Sequence, residues 1–162
     1  MDYHIRPMVD DDVDAIIELS LAAWAPVFAS FEQVLGATIY SFIYPDWTTS
    51  QAEVVTGICK ETDKTTTWVA EVDGTVVGFL SYELDFKKET GEVMLLAVHP
   101  DYQNGGVGTE LNTFALDRMK ESGMKLAVLG TGGDPGHAPA RRSYEKAGYT
   151  ALPLVRYYKD LS

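Results

Sequence analysis

An α/β (α+β) domain with the element order β-ααα-βββ-α-β-α-β follows from three features of this 162-residue chain. Apolar residues recur at helical spacing through the first 64 residues, residues 65–98 turn β-branched and alternating, and the remainder switches between helical and extended patterns. With 46% hydrophobic and 23% charged residues, the composition suits one domain, 1–162, whose core needs no disulfide or metal staple.

Tyr3 to Arg6 alternates as a short strand ending at Pro7. Asp10 is placed to cap a helix whose first turn holds Asp11 and Asp12, favourable against the helix dipole, and whose apolar face is Val13, Ile17, Leu21 and Trp24. Phe31 to Tyr44 reads as a second helix stopped by Pro45, and Ser50 as the cap of a third, Gln51 to Glu61, buried through Val54, Val55 and Ile58. Thr66–Val72 and Val76–Leu84 flank Asp73-Gly74, the preferred dipeptide of a two-residue hairpin turn. A turn at Lys87–Thr90 leads into Glu92–Val98, an apolar run stopped by Pro100 and too short for a helix, hence a central strand. Val107, Leu111, Phe114, Ala115 and Met119 then fall at helical spacing, with Gly123 placed to end the helix. Leu126–Leu129 reads as a buried strand, Ala138–Ala147 as a helix ended by Gly148, and Leu152–Tyr158 as a strand broken at Pro153.

Charge narrows the partners. The net charge of −11 opposes a nucleic-acid backbone, and it is unevenly spread: residues 1–102 hold 5 Lys/Arg against 18 Asp/Glu, residues 103–162 hold 8 against 6. No run approaches the ~18 apolar residues of a membrane span, and the N-terminus lacks the regions of a signal peptide. A cytoplasmic protein without membrane or nucleic-acid partners is therefore expected. Cys59 is the single cysteine, which excludes an intrachain disulfide, and no Cys/His cluster suggests a metal.

The segment Val98–Gly108 packs a strand end, a turn and a helix start into eleven residues. Glycines at 105, 106 and 108 permit positive φ and bare the amides, so an anion can meet the positive helix end; a merely flexible helix entry reads the same glycines equally well. A P-loop needs a lysine that Gly108-Thr109 lacks, and a dinucleotide fingerprint needs glycine where Glu110 and Leu111 stand. In the later Gly130–Gly136 stretch that pattern meets Pro135, which leaves a flexible loop of the kind that often carries binding residues.

Two motifs together carry a family resemblance. Gln103-x-x-Gly106-x-Gly108 after Leu96–Pro100, followed by Ala140-Arg-Arg-Ser-Tyr-Glu-Lys-Ala-Gly-Tyr149, resembles the GNAT superfamily of acyl-CoA N-acyltransferases over residues 66–158. The resemblance implies a mixed, mostly antiparallel sheet flanked by helices, splayed between strands 92–98 and 125–131. Residues 65–162 would bind acetyl-CoA and residues 1–64 would supply the acceptor side. It further implies that backbone groups of Leu96, Ala97 and Val98 hold pantetheine. Gln103, Asn104, Gly105, Gly106, Val107, Gly108 and Thr109 would hold the pyrophosphate, beside a basic helix with Arg141 and Arg142. Tyr144 would protonate the departing thiolate, or else serve as an amphipathic core residue. Glu92, six residues before Val98, would act as base, directly or through water, with Glu83 and Asp85 as alternatives; a solvated strand-end carboxylate is the plainer reading.

One position departs from the family. His137 stands where many members carry an asparagine seven residues before the tyrosine, so it would replace a cofactor contact, act as a second base, or cap the helix. His4 and His99 carry no comparable signal. Trp24, Phe28, Phe31 and Glu83, with Tyr40, Tyr44, Trp47, Glu32 and Asp46 nearby, suit an acceptor amine with an apolar body, although aromatics at helical spacing are as readily core. The expected reaction is direct acetyl transfer in a ternary complex to a cationic small-molecule amine. A protein lysine or N-terminal amine, a catalytically silent acyl-CoA-binding module and a homodimer all stay open. Cys59 lies far from both motifs and is not expected to form a covalent intermediate.

Overall fold

The computed structural model describes residues 2–162. Five strands, β1 (His4–Pro7), β2 (Thr65–Val72), β3 (Thr75–Asp85), β4 (Thr90–Val98) and β5 (Leu126–Leu129), form one sheet in sequence order. β1 to β4 are successively antiparallel and β5 joins β4 in parallel, which gives the mixed, mostly antiparallel sheet. Around it lie α1 (Val13–Leu35), α2 (Ala37–Ile43), α3 (Trp47–Lys60), α4 (Val107–Glu121) and α5 (Ala138–Lys146).

Strand alternation sorts the core into two layers. Val69 and Phe79 face Ile16, Leu19, Val55 and Cys59 of α1 and α3, while their neighbours Ala70 and Leu80 face Val107, Leu111, Ala115 and Met119 of α4. The β2–β3 turn has Asp73 at φ 49° and Gly74 at φ 80°, the left-handed pair that matches strand twist in a two-residue hairpin. Arg6 fastens the start of the fold: its guanidinium donates to both carboxylate oxygens of Asp12 (2.8 and 2.9 Å) and through Nε to Glu71 (2.8 Å).

The helical half differs from the sequence reading in ways with physical causes. Asp10 lies in a 3-10 turn over Asp10–Asp12, and α1 begins only at Val13, because the Asp12 carboxylate is turned back to Arg6 and to the Val9 amide. Its buried face is Ile16, Leu19, Ser20 and Phe28, with Val13, Ile17, Leu21 and Trp24 partly covered at its flank. α1 runs through Pro26 to Leu35, so Phe31 belongs to it; the break falls at Gly36, φ 79°, and α2 follows. Asp46, accepting from the Thr49 amide, caps α3 four residues before Ser50, and that helix buries Val55 and Cys59 while Val54 stays exposed. The stretch Asp10–Leu35 is long and apolar enough to cross a membrane by length and composition, contrary to the expectation that no run approached a span. In the fold it packs on α3 and the sheet.

Two expectations fail at the far edge of the sheet. β5 is not buried, since Leu126 and Val128 are exposed on an edge that only β4 pairs. Leu152–Tyr158 forms no strand, and residues 150–162 are exposed throughout.

Candidate active site

The site originates in a break in the sheet. β4 and β5 pair only from Thr90 to Val93 against Leu126 to Leu129. At that point the β3–β4 register slips, Ser81 opposing Leu95 while Tyr82 opposes Val93, so Met94 is an extra residue in β4. Such a bulge bends its strand. Beyond it, Met94 to Val98 has no paired strand on the β5 side among the described residues, and a cleft of about 980 Å³ opens there, walled by these residues and by Leu129, Gly130 and Thr131. This is the splay expected between strands 92–98 and 125–131. An extended ligand arm with amide groups can complete the unpaired β4 edge in the manner of an added strand.

At the head of the cleft the chain turns through Asn104 (φ 65°) and Gly106 (φ 89°) into α4. Gln103 anchors the turn by donating from Nε2 to the Val98 carbonyl at 3.0 Å, which already engages that backbone acceptor. The first helical bond is donated by the Glu110 amide to Gly106, so the amides of Val107, Gly108 and Thr109 are left for an anion at the positive helix end. Asn104, Gly106, Gly108 and Thr109 line the cleft. Gly105 does not, and the Val107 side chain is buried in the core beneath.

α5 forms the opposite wall. Tyr144 lines the cleft, and burial pushes its phenol up from the ordinary range, so it stays protonated through neutral pH. Arg142 is on the wall as well, whereas Arg141 is committed elsewhere: it donates to the carbonyls of Gly132 (2.6 Å) and Asp134 (2.8 Å), clamping the loop before the helix.

That loop holds an arrangement the sequence reading missed. His137 Nδ1 lies 2.5 Å from Asp134 Oδ1, while Asp134 Oδ2 accepts from Ser30 Oγ (2.8 Å) and the Gly136 amide (3.1 Å). Burial pushes the Asp134 carboxyl up, but the hydrogen bonds from His137 and Ser30 outweigh it and hold the group below the usual carboxylate range. An ionised carboxylate only accepts, so Nδ1 carries the donated hydrogen and a neutral His137 keeps its lone pair on Nε2. His137 lines the cleft, with its ring 5.6 Å from that of Phe31. Two glycines permit this: a Cβ at Gly132 would collide with both Asp134 and His137, and one at Gly136 would meet Ser30 at 2.7 Å. The signal available in the sequence was Asp134-x-x-His137 directly after Gly132-Gly133, with Gly136 inside it.

Of the remaining predicted residues, Leu96, Ala97, Val98 and Trp24 lie on the cleft wall. Phe28 is buried, stacked 4.4 Å from Trp47, and Phe31 stacks on Tyr44 at 5.6 Å, so both build the aromatic layer behind the cleft. Glu92 is exposed and pairs across the sheet with Glu83; neither reaches the cleft wall, because both lie on the side of the bulge where β4 is still paired with β5. Cys59 is buried in the core, its thiol pushed up to about 11 by burial, which suits packing.

Comparison with known proteins agrees with this architecture. The profile of the Acetyltransferase (GNAT) family matches residues 31–149. The mycothiol acetyltransferase of Streptomyces coelicolor is 33% identical over 92 residues, covering 57% of this chain and 29% of that protein, so the chain spans well under half of that relative's length. In fold, the chain is similar to the PaiA N-acetyltransferase of Thermoplasma acidophilum solved with coenzyme A (TM-score 0.72, 19% identity, 94% of this chain and 92% of that one). It is likewise similar to an aminoglycoside 6'-N-acetyltransferase of Acinetobacter haemolyticus (TM-score 0.67, 15% identity, 97% of each chain).

Proposed function

Because the chain belongs to the acetyltransferase (GNAT) family, we propose that it transfers an acetyl group from acetyl-CoA to a primary amine by direct attack in a ternary complex. One observation carries the reading: the parting of β4 from β5 beside the free amides of α4, with Tyr144 and His137 on the same cleft wall. The cleft fits the co-substrate because it offers an unpaired strand edge for the pantetheine amides and an amide-lined turn for the pyrophosphate.

His137 Nε2 takes a proton from the acceptor ammonium, which with a pKa near ~10 is otherwise mostly charged at neutral pH. Asp134 holds the imidazole in the tautomer that can do so. The freed amine forms the new C–N bond at the thioester carbonyl, and β4 amides beyond the bulge face the charge that develops there. As the C–S bond breaks, Tyr144 donates its hydroxyl proton to the leaving sulfur and regains one from the newly acylated nitrogen, which gives up its second proton as the amide forms. One proton is released overall. This assigns to His137 the base role expected of Glu92, whose place outside the cleft leaves it a solvated strand carboxylate.

The acceptor side is formed by α1 at Trp24, Pro26 and Val27, before the aromatic layer of Phe28, Phe31, Tyr44 and Trp47. An excess of acidic residues in the first 102 positions draws a cation, so we infer a cationic small-molecule amine with an apolar part, met in the reducing cytoplasm where a lone buried thiol is stable. The similarity to mycothiol and aminoglycoside acetyltransferases supports a small acceptor. The test is thiol release from acetyl-CoA against a panel of amino-sugars, polyamines, amino acid derivatives and lysine peptides. Saturable release with a small amine is expected. Release with peptides alone would move the acceptor to proteins, and CoA binding without turnover on any amine would leave a binding module and end the catalytic reading.

A further inference from the structure

We propose, resting on the acyl-transfer reading for the identity of the ligand, that Ser143 donates a hydrogen bond from its hydroxyl to an oxygen of the bound co-substrate. Asn112, buried on α4, is the positioning residue that aims it.

Packing alone does not account for Asn112. Its side chain is 0% exposed, next to Leu111, which lies with Ala115 and Met119 in the core against the sheet. Its Nδ2 donates to Ser143 Oγ on α5 at 3.5 Å, long for such a bond, and its Oδ1 has no partner. A buried amide oxygen left unpaired carries its whole desolvation penalty. Leucine has nearly the same shape, favours a helix more and would carry no such penalty. What asparagine adds at this position is a donor directed at Ser143.

Ser143 passes that direction to the cleft, which it lines one position before Tyr144. Other helical hydroxyls of this chain turn back onto the carbonyl four residues earlier: Ser20 onto Ile16 (2.6 Å), Thr56 onto Ala52 (2.7 Å) and Thr113 onto Thr109 (3.0 Å). Ser143 makes no such bond to Pro139, and no group among the described residues accepts its hydrogen. A hydroxyl has one hydrogen and two lone pairs. Asn112 engages a lone pair from behind, so the hydrogen is free for the cleft.

The ligand atom it meets must be an acceptor. Gly108 and Thr109, whose amides are free for an anion, stand one turn before Asn112 on α4 and line the same cleft. Ser143 is therefore tied through Asn112 to the anion turn and by sequence to Tyr144, the residue at the leaving sulfur. Between those two points the co-substrate carries pyrophosphate oxygens and the amide carbonyls of pantetheine, and a hydroxyl donor serves either.

Calorimetry with CoA reads this contact without an acceptor amine and without turnover. Ser143→Ala and Asn112→Leu should each raise the Kd for CoA about 3–30-fold. The double variant should bind no more weakly than Ser143→Ala, because Asn112 acts through the hydroxyl. Asn112→Leu should melt no lower than wild type, since the orphaned oxygen is removed. In thiol release the loss should fall on the KM for acetyl-CoA rather than on kcat. Titration with ADP and with pantetheine separates the two acceptors: weakening with ADP assigns the pyrophosphate, weakening with pantetheine a carbonyl. The proposal is overturned by a folded Ser143→Ala protein with the wild-type Kd for CoA, by effects of the two substitutions that add in the double variant, or by an Asn112→Leu protein that loses stability and keeps its Kd. A wild type that binds CoA but acetylates no amine ends the acyl-transfer reading and leaves these binding results to decide the contact; a wild type that binds no CoA ends both.

Discussion

Asp134→Asn tests the proposed proton path because its consequence can be worked out atom by atom. The Gly136 amide, which can only donate, lies 3.1 Å from Asp134 Oδ2, and Ser30 Oγ lies 2.8 Å from the same atom. An asparagine in this position therefore sets its carbonyl oxygen on that side and turns its NH2 towards His137 Nδ1. The imidazole must then accept at Nδ1, which puts its hydrogen on Nε2 and removes the base while leaving the ring in place. Loss of a positioned general base costs about 10²–10⁴-fold in rate. Replacing a charge-assisted hydrogen bond costs on the order of 1–3 kcal/mol of stability, which for a domain of this size lowers the midpoint by roughly 2–12 °C. The assay is thiol release at 25 °C, below that transition, from about pH 6 to 9. The deficit in kcat/KM should be largest at low pH and shrink as the acceptor itself deprotonates, a pH dependence that a packing defect does not produce. Ser30→Ala, which leaves the Asp134–His137 bond intact, should stay within about tenfold of wild type. A folded Asp134→Asn protein with wild-type kcat/KM across the pH range would refute the base assignment.

Three further outcomes are expected. Tyr144→Phe should lower kcat about 10²–10⁴-fold with little change in the KM for acetyl-CoA, measured by the same assay, because the ring stays and only the proton donor is lost. Gly106→Ala should raise the Kd for CoA in calorimetry by roughly 5–30-fold, since a Cβ there meets nothing closer than Tyr3 Oη at 3.9 Å and the cost is the ~1–2 kcal/mol of a left-handed residue. Asp12→Asn concerns acid stability. The hydrogen bond from Arg6 holds the Asp12 carboxyl below its usual range against burial, so its contribution is complete above the unfolded value of about 3.9 and is lost as pH falls through the lowered folded value. Thermal melts should show the variant less stable by about 1–3 kcal/mol at pH 7, with the gap closing as pH falls below the unfolded value of about 3.9.

What the sequence disclosed about the fold is what short-range chemistry decides. The Asp73-Gly74 hairpin, the entry to α4 at Gly106 and the helix stops at Gly123 and Gly148 all appear where the residues place them, because each depends on a left-handed backbone that few residues accept. The misplaced features depend on distant partners. Asp10 has the right type for a cap, yet the turn is organised by Asp12 because Arg6, on the neighbouring strand, claims its carboxylate. Pro26 would end most helices, but in α1 only one helical bond is lost while the flanking turns pack on α3 and the sheet, so the helix continues to Gly36. Leu126–Leu129 is apolar enough for a core strand, but composition says nothing of whether a neighbour lies on both sides.

The site divides along the same line. The cofactor half is local, a turn with the start of α4 and one position on α5, so Gln103, Asn104, Gly106, Gly108, Thr109 and Tyr144 line the cleft, as the resemblance implied. The proton-handling half is not local. Ser30 and Asp134 are 104 positions apart, and they meet only because α1 crosses the loop before α5. The glycines around Asp134 resembled a failed nucleotide fingerprint, whereas in the fold they clear space for the Ser30–Asp134–His137 contacts, and Arg141 holds the loop in that shape. Glu92 shows the converse. Its distance along the strand from Val98 fitted the family pattern, but the bulge at Met94 makes it the last-but-one residue before β4 leaves β5, on the paired side of the break. Spacing along a strand fixes function only if the strand is regular, and the irregularity that opens this cleft is also what separates Glu92 from it.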